Sequence, residues 1–490
     1  MAFTLPRFTE EVKRLHLLER WAGNRPPIVS RHVLLFIVSL IVTLLIVAAL
    51  FLRTELAREA IYMSGIFVLA ALLWMTEALP LFATAILIIL LEIIFIANPG
   101  DWSGLGFAQG ASPDYQVFLA PLANPVIVLF FGGFLLAHAV LKEGVDKAMA
   151  SGILRAFGGR PHMVMLGLMF ITALFSMWMS NTATTAMMIT MVAPLLQQLS
   201  RHDPLRKGLL LSIPFAANIG GMGTPIASPP NAVAVSFLQQ AGYNVSFLVW
   251  VLIAVPLMVA LLGFTWLLLS RLFRPADPTT VLKPTPQTID GRGWYVIVVL
   301  LLTVTLWLTD QWHGLSTAVV ALFPAVAFTA TGLLTRSDVN SLEWHILILI
   351  MGGLALGEGM QITGLDAVFV SLLPSQGNTV LLAMVIATLL FSTFISNTAA
   401  ANLLLPIGIS FALQNTGGIG PIQLTMSIAL AASLAMSLPI STPPNTIAYS
   451  KGDVETKDFT RTGIIIGGVA IILIIFLGDP IISFWLLVIP

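Results

Sequence analysis

The chain of 490 residues has no cysteine, which excludes disulfides and every form of thiol chemistry. It is also poor in charge. Asp, Glu, Lys and Arg make up 9 % of it against 57 % hydrophobic residues, where a soluble domain carries about 25 % charged residues. Net charge is zero, so the chain offers no basic surface for a nucleic acid. Its apolar core shows no paired carboxylates, no His-rich metal spacing and no Ser–His arrangement, so the chain does not read as an enzyme. The poorest stretch is Ala367–Ser450, without one Asp, Glu, Lys or Arg.

Long apolar runs take the place of charge. Residues 33–52, 61–77, 247–270 and 463–477 are examples, and roughly 20 apolar residues cross a bilayer. Mean hydropathy is +0.95. The chain reads as an all-α, multi-pass protein of the cell (inner) membrane. Ahead of these runs, residues 1–32 hold Arg7, Lys13, Arg14, Arg20, Arg25 and Arg31, with Phe8, Val12, Leu15 and Trp21 at helical spacing. That pattern suggests a cytoplasmic amphipathic segment lying on the membrane surface.

Cytoplasmic loops collect Lys and Arg. Placing the basic N-terminus inside and threading the apolar segments puts the loop 99–124, with Asp101 and Asp114 and no base, outside. The loop 142–162, with Lys142, Lys147, Arg155 and Arg160, falls inside. The run 163–199 has bases on both flanks. It is too long for one span at about 1.5 Å per residue and reads as a re-entrant hairpin entering from the cytoplasm. The run 378–413, flanked by base-free turns, reads as a hairpin entering from outside. The expectation is eleven crossings plus two opposed hairpins, with the C-terminus outside. All of the 23 Lys and Arg except Arg53 and Arg58 then face the cytoplasm.

Four landmarks recur in order. "WMTEALPLFATA" from Trp74 matches "WLTDQWHGLSTA" from Trp307, pairing Glu77 with Asp310 and Thr84 with Thr317. Gly132-Gly133 matches Gly352-Gly353. Ser180-Asn181-Thr182 matches Ser396-Asn397-Thr398, and "ASPPNAVA" from Ala227 matches "STPPNTIA" from Ser441. The offsets are 233, 220, 216 and 214. Because matched segments cross in opposite directions, this is an inverted-topology repeat, a signature of secondary transporters whose sites lie where helices are interrupted. The expected units are the first helix and loop (33–59), a first repeat (60–270), a cytoplasmic linker (271–293) and a second repeat (294–490). Pro-Pro-Asn should unwind the crossings 209–240 and 422–449, since proline removes a donor and disrupts the preceding turn.

Two hairpin tips and two broken helices should therefore converge. They carry hydroxyls (Ser180, Thr182, Ser228, Ser396, Thr398, Thr442) and amides (Asn181, Asn231, Asn397, Asn445) but no Lys or Arg. Freed carbonyls and amide oxygens suit a hard cation such as Na⁺, and N–H groups at helix N-termini suit a carboxylate. Bound Na⁺ would supply the positive charge that the side chains lack. Ser and Thr in membrane helices also bond ordinary backbone carbonyls, and an antiporter would use a counter-substrate instead of sodium. Glu77 and Asp310 fall at segment ends, where helix capping or scaffold contacts suit them. Glu92, Glu358 and His138 gain no role from the sequence.

Paired Ser-Asn-Thr tips, paired Pro-Pro-Asn breaks and the "WMTEALP" element resemble the divalent anion:sodium symporters over roughly residues 60–488. The resemblance implies a homodimer that carries dicarboxylate, citrate or sulfate by an elevator motion. It also implies residue roles. A first Na⁺ site would use Ser180 and Asn181 side chains with backbone from Ser176 and Ala227. A second would use Asn397 with backbone from Ser392, Ile395 and Ser441. The substrate would meet Ser180, Asn181, Thr182, Ser228, Ser396, Asn397, Thr398, Thr442 and Pro443. Ala227 stands where the family pattern has glycine, and Ser441 where it has a small apolar residue. A sodium-independent dicarboxylate exchanger, or a sodium-coupled citrate or sulfate carrier, fits the same motifs. Asn181→Ala or Asn397→Ala should abolish uptake in reconstituted vesicles while the protein stays folded. Wild-type rates in either variant would remove these residues from the site.

Overall fold

A computed structural model describes residues 31–107, 111–277, 281–282, 288–414 and 418–488. Residues 1–30 of the amphipathic segment expected over 1–32, and residues 278–280 and 283–287 of the central linker, lie outside the described residues. The described chain is helical throughout its apolar runs, as it must be where no water can satisfy backbone N–H and C=O groups. Eight helices are long and apolar enough to cross a membrane. Seven are crossings, and the eighth, Gly377–Phe394, is the first arm of the second hairpin. Shorter helices at Leu81–Glu92 and Thr317–Ala330 and two broken helices complete eleven crossings.

Polar side chains inside these helices mostly bond their own turn. Thr43, Thr265 and Thr303 each donate to the carbonyl four residues back, which satisfies a hydroxyl in hydrocarbon without a partner helix.

The repeats interlock. Pro125–Lys142 of the first repeat packs on Thr317–Ala330 of the second, and Trp344–Ile362 of the second packs on Leu81–Glu92 of the first. The matched glycines permit both crossings. A side chain at Gly132 would strike the backbone of Ala321, and one at Gly352 would strike Ala85. Trp74 Nε1 donates to the Leu81 carbonyl at 3.2 Å, and Trp307 Nε1 donates to that of Thr317 at 2.9 Å. Thr317 is therefore the structural partner of Leu81 rather than of Thr84. The three extra residues of the second copy are taken up by the short turn of helix Asp310–His313. Glu77 ends its helix in the left-handed conformation, φ 49°, as a terminus rather than a site.

Segments that the charge pattern places on one side of the membrane meet in space. Lys142 Nζ lies 2.6 Å from Asp338 Oδ2 and donates to the Leu333 carbonyl at 2.9 Å. His138 lies 3.2 Å from the same carboxylate. The Lys142 ammonium, with the Thr335 backbone N–H, holds the Asp338 carboxyl well below the usual carboxylate range. Arg206 pairs with Asp453, and Lys207 with Glu455 and Asp458. These pairs define one base-rich end of the bundle.

Around the site the fold has two parts. The interlocked helices form one wall. Against it lie the two hairpins, the two broken helices, and the long helices Phe247–Leu272 and Thr456–Val488. Gly132→Ala or Gly352→Ala should lower stability by roughly 1–3 kcal/mol, the usual cost of overpacking. Gly263→Ala, with open space at its Cβ position, should not. Thermal unfolding in detergent checks this.

Candidate functional site

The first hairpin runs Pro161–Ser176, turns, and resumes as Asn181–Leu196. The second runs Gly377–Phe394 and resumes as Asn397–Leu413. Each second arm is N-capped by the serine of Ser-Asn-Thr. Ser180 Oγ accepts from Ala183 N at 3.2 Å, and Ser396 Oγ accepts from Ala399 N at 3.1 Å.

Four residues before each tip asparagine's serine partner, the chain makes an ordinary choice. Thr172 and Thr388 back-bond to Leu168 and Met384. One turn later, Ser176 and Ser392 do not. Ser176 Oγ lies 2.6 Å from Asn181 Oδ1 and 2.8 Å from the Ala217 carbonyl. Ser392 Oγ lies 2.7 Å from both Asn397 Oδ1 and the Ala432 carbonyl. A hydroxyl has one proton, so three oxygens share a single hydrogen in each repeat. Crowded oxygens of this kind suit a hard cation. Among the described residues no group of three or more His, Cys, Asp or Glu could hold a softer metal.

The broken helices are Pro204–Gly220 with Pro229–Gln240, and Pro421–Ser433 with Pro443–Tyr449. The asparagine of each Pro-Pro-Asn closes the gap. Asn231 Nδ2 donates to the Gly221 and Thr224 carbonyls at 2.9 and 2.8 Å. Asn445 Nδ2 donates to those of Met436 and Leu438 at 3.0 and 2.8 Å. Their amide protons are thus committed to the unwound backbone.

All four interruptions are joined. Thr224 Oγ1 donates to the Met177 carbonyl, and a side chain at Gly221 would collide with the Asn181 amide. Ser441 Oγ donates to the Thr393 carbonyl at 2.9 Å. Between the repeats, Asn218 Nδ2 reaches Thr442 Oγ1 at 3.2 Å and Asn445 Oδ1 at 3.3 Å, while Ser433 Oγ donates to Ser228 Oγ at 3.3 Å. Asn218 and Ser433 are twins, one residue beyond the matched carbonyls of Ala217 and Ala432. The sequence reading overlooks both. Their one signal is the offset of 215 between two polar residues inside apolar helices.

Of the residues expected at the site, Ser176, Asn181 and Ser228 thus meet within or across the first half, and Ser392, Asn397, Ser441 and Thr442 within the second. Ser180 and Ser396 cap the tips. Ala227 and Pro443 flank the breaks, and Ile395 ends Gly377–Phe394 in an extended conformation. Thr182 and Thr398 lie in the first turn after each tip. Four helix N-termini, at Ser180, Ser228, Ser396 and Thr442, open at the joined interruptions. Among the described residues, no Lys or Arg pairs with any of them.

The twin halves are unequally covered. Ile226 is 6 % exposed, and its counterpart Ile440 is 76 % exposed. Trp178, beside the first tip, stacks with Phe247 and Trp307, while its counterpart Phe394 is 70 % exposed. Helix Trp344–Ile362 packs on both halves, against Pro229–Gln240 of the first and Asn397–Leu413 of the second. Gly357 faces Phe237, Gly353 faces Asn402, and Asn402 Nδ2 donates to the Leu349 carbonyl at 3.1 Å. One further group reaches the site from the wall. Glu343, the N-cap of that helix, accepts from Ser180 Oγ at 3.4 Å. In the sequence it stands in an unremarkable polar loop.

Comparison with known proteins accords with this geometry. The family described as "Sodium:sulfate symporter transmembrane region" matches residues 31–489. The chain belongs to this family. An uncharacterized transporter of Haemophilus influenzae is 32 % identical, over 86 % of this chain and 92 % of its own length. The sodium-dependent dicarboxylate transporter SdcS of Staphylococcus aureus is 29 % identical, over 87 % and 88 %. An uncharacterized transporter of Schizosaccharomyces pombe is 31 % identical over 91 % of this chain, which spans about half (52 %) of that relative. The YdaH transporter of Alcanivorax borkumensis shares the fold, with a TM-score of 0.55 at 15 % identity, covering 82 % of this chain and 98 % of that one. This symporter-family chain is a transporter and not an enzyme.

Asn231→Leu should strand the Gly221 carbonyl and Asn445→Leu that of Met436, whereas the Thr224 and Leu438 carbonyls keep backbone N–H donors from Ala227 and Ser441. At about 1–3 kcal/mol per orphaned group, either variant should unfold at a clearly lower temperature. Asn181→Ala, which strands none of the break carbonyls, should not.

Proposed function

We propose that the chain imports a divalent organic anion together with Na⁺, and that the anion is a C4-dicarboxylate such as succinate, malate or fumarate. The observation that carries this reading is four helix N-termini converging where no basic side chain reaches. Helix N-termini attract anions through their free N–H groups and dipoles. Two carboxylates nevertheless need more positive charge than partial dipoles provide. The paired oxygen clusters at Ser176–Asn181 and Ser392–Asn397 supply places for cations beside the anion. The first Na⁺ would sit with Ser180, Asn181 and the backbone of Ser176 and Ala227. The second would sit with Asn397 and the backbone of Ser392, Ile395 and Ser441. Ser180, Asn181, Thr182, Ser228, Ser396, Asn397, Thr398, Thr442 and Pro443 would face the substrate.

Because each ion lowers the cost of holding the other, cation and anion bind together or not at all. The unequal covering of the twin halves supports an elevator motion, in which the hairpins and broken helices slide as a body along the wall. The base-rich end is cytoplasmic by the positive-inside rule. The protein works in the cell membrane as a homodimer.

The test is uptake of labelled succinate, sulfate, phosphate and citrate into proteoliposomes, with an inward Na⁺ gradient or with K⁺ in its place. Concentrative succinate uptake that needs Na⁺ is expected. Uptake that ignores Na⁺ but requires internal substrate would make the chain an exchanger, and preference for another anion would move the substrate class.

A further inference from the structure

Helices Pro125–Lys142 and Trp344–Ile362 are twins, and each has a polar N-cap, Asn124 and Glu343, that reaches across to the sliding body; the two caps stand one residue out of register by the offset of 220 at the paired glycines. The two caps make different contacts. Glu343 accepts from Ser180 Oγ at 3.4 Å, at the tip of the first hairpin. Asn124 Nδ2 donates to Ser236 Oγ at 2.8 Å, two turns beyond the break in helix Pro229–Gln240. One cap is therefore level with the site, and the other is level with the covered half beyond it.

In an inverted repeat, two inequivalent halves interconvert by exchanging environments. Each contact seen for one repeat then has an unmade twin in the other. The twin of Ser180 is Ser396 at offset 216, and the twin of Ser236 is Ser450 at offset 214. Both twins are serines, although nothing in helix propensity requires it. Ser396 is held as Ser180 is, accepting from the N–H three residues on. Ser450 is exposed, and its hydroxyl reaches only its own helix, at the Ile447 carbonyl, 2.8 Å away.

We propose that Asn124 and Glu343, the N-caps of the twin helices, are positioning residues that trade partners between the two ends of the transport stroke. In the state described, the pairs are Glu343–Ser180 and Asn124–Ser236. In the opposite state they are Asn124–Ser396 and Glu343–Ser450. Each cap thus holds the sliding body at both ends of its travel, and neither contact set is compatible with the other. The proposal rests on the sliding motion put forward above but not on which anion is carried.

The chain contains no cysteine, so introduced pairs can be crosslinked without background. Asn124→Cys/Ser236→Cys and Glu343→Cys/Ser450→Cys are reconstituted and treated with a short, reducible bifunctional thiol reagent. Both pairs should crosslink within one chain, with opposite responses to added Na⁺ plus succinate. Each crosslink should take uptake to background, and reduction should restore it. In the fourfold variant, one crosslink should exclude the other. Failure of either pair to crosslink, or both crosslinks in one molecule, overturns the exchange. Should the Ser450 pair fail to fold, Asn124→Cys/Ser396→Cys reads the same state. Two crosslinks that form singly but exclude each other, in a protein without Na⁺-driven succinate uptake, would sink the substrate reading and leave the exchange standing.

Discussion

The structure depends on one constraint: backbone broken inside a bilayer must find its hydrogen bonds within the protein. Each break frees several carbonyls and amides at once, and each costs on the order of a few kcal/mol if left alone. Asn231 and Asn445 answer that cost with both amide protons, bonding two carbonyls apiece across the gap. Ser180 and Ser396 answer it at the tips by capping. Only after those demands are met do oxygens remain for ions. The division of labour is strict. Pro-Pro-Asn spends its amide on architecture, whereas the Ser-Asn pairs turn a hydroxyl and an amide oxygen toward each other.

Symmetry then does what a single broken helix could not. Asn218 ties the first break to the second through Thr442 and Asn445, and Ser433 ties the second to the first through Ser228. The four interruptions become one polar body surrounded by close-packed apolar side chains. The proposed sliding motion needs a body that holds together in this way. The wall is stiff for a different reason. Its crossings at Gly132 and Gly352 bring backbone against backbone, leaving no soft side chain to yield.

Much of this was legible in the residues. Flanking charge gave the direction of both hairpins, and four ordered landmarks gave the repeat. The breaks announced themselves through Pro-Pro-Asn. What stayed hidden had physical causes. Asn218 and Ser433 each sit at the end of an apolar helix, away from the Pro-Pro-Asn motifs, so they look like ordinary back-bonded polar residues. Asn231 and Asn445 read as ligands because a sequence cannot show that their donors are committed to carbonyls seven to ten residues back. Glu343 lies in a charged loop of the kind that normally faces water, and only the packing of helix Trp344–Ile362 against the first tip brings it to the site. The slip from Thr84 to Leu81 as the partner of Thr317 has the same origin, since a turn of helix inserted in a loop leaves no apolar signature.

The contact between Glu343 and Ser180 makes the two pseudo-symmetric ends of the molecule chemically unequal. A carboxylate, when ionised, raises the energy of an anion held about 5 Å away by on the order of 3 kcal/mol at an effective dielectric near 20. The N-cap of the twin helix is Asn124, a neutral amide. An anion would therefore be held more loosely where the carboxyl stands beside the tip and more tightly where the amide does. Linkage makes the bias reciprocal. Whatever lowers the affinity of one state for its cargo shifts the loaded carrier away from that state relative to the empty one. In the proposed stroke a single acidic side chain on the wall would thus bias where the loaded carrier rests, without touching the limit that the ion gradients impose.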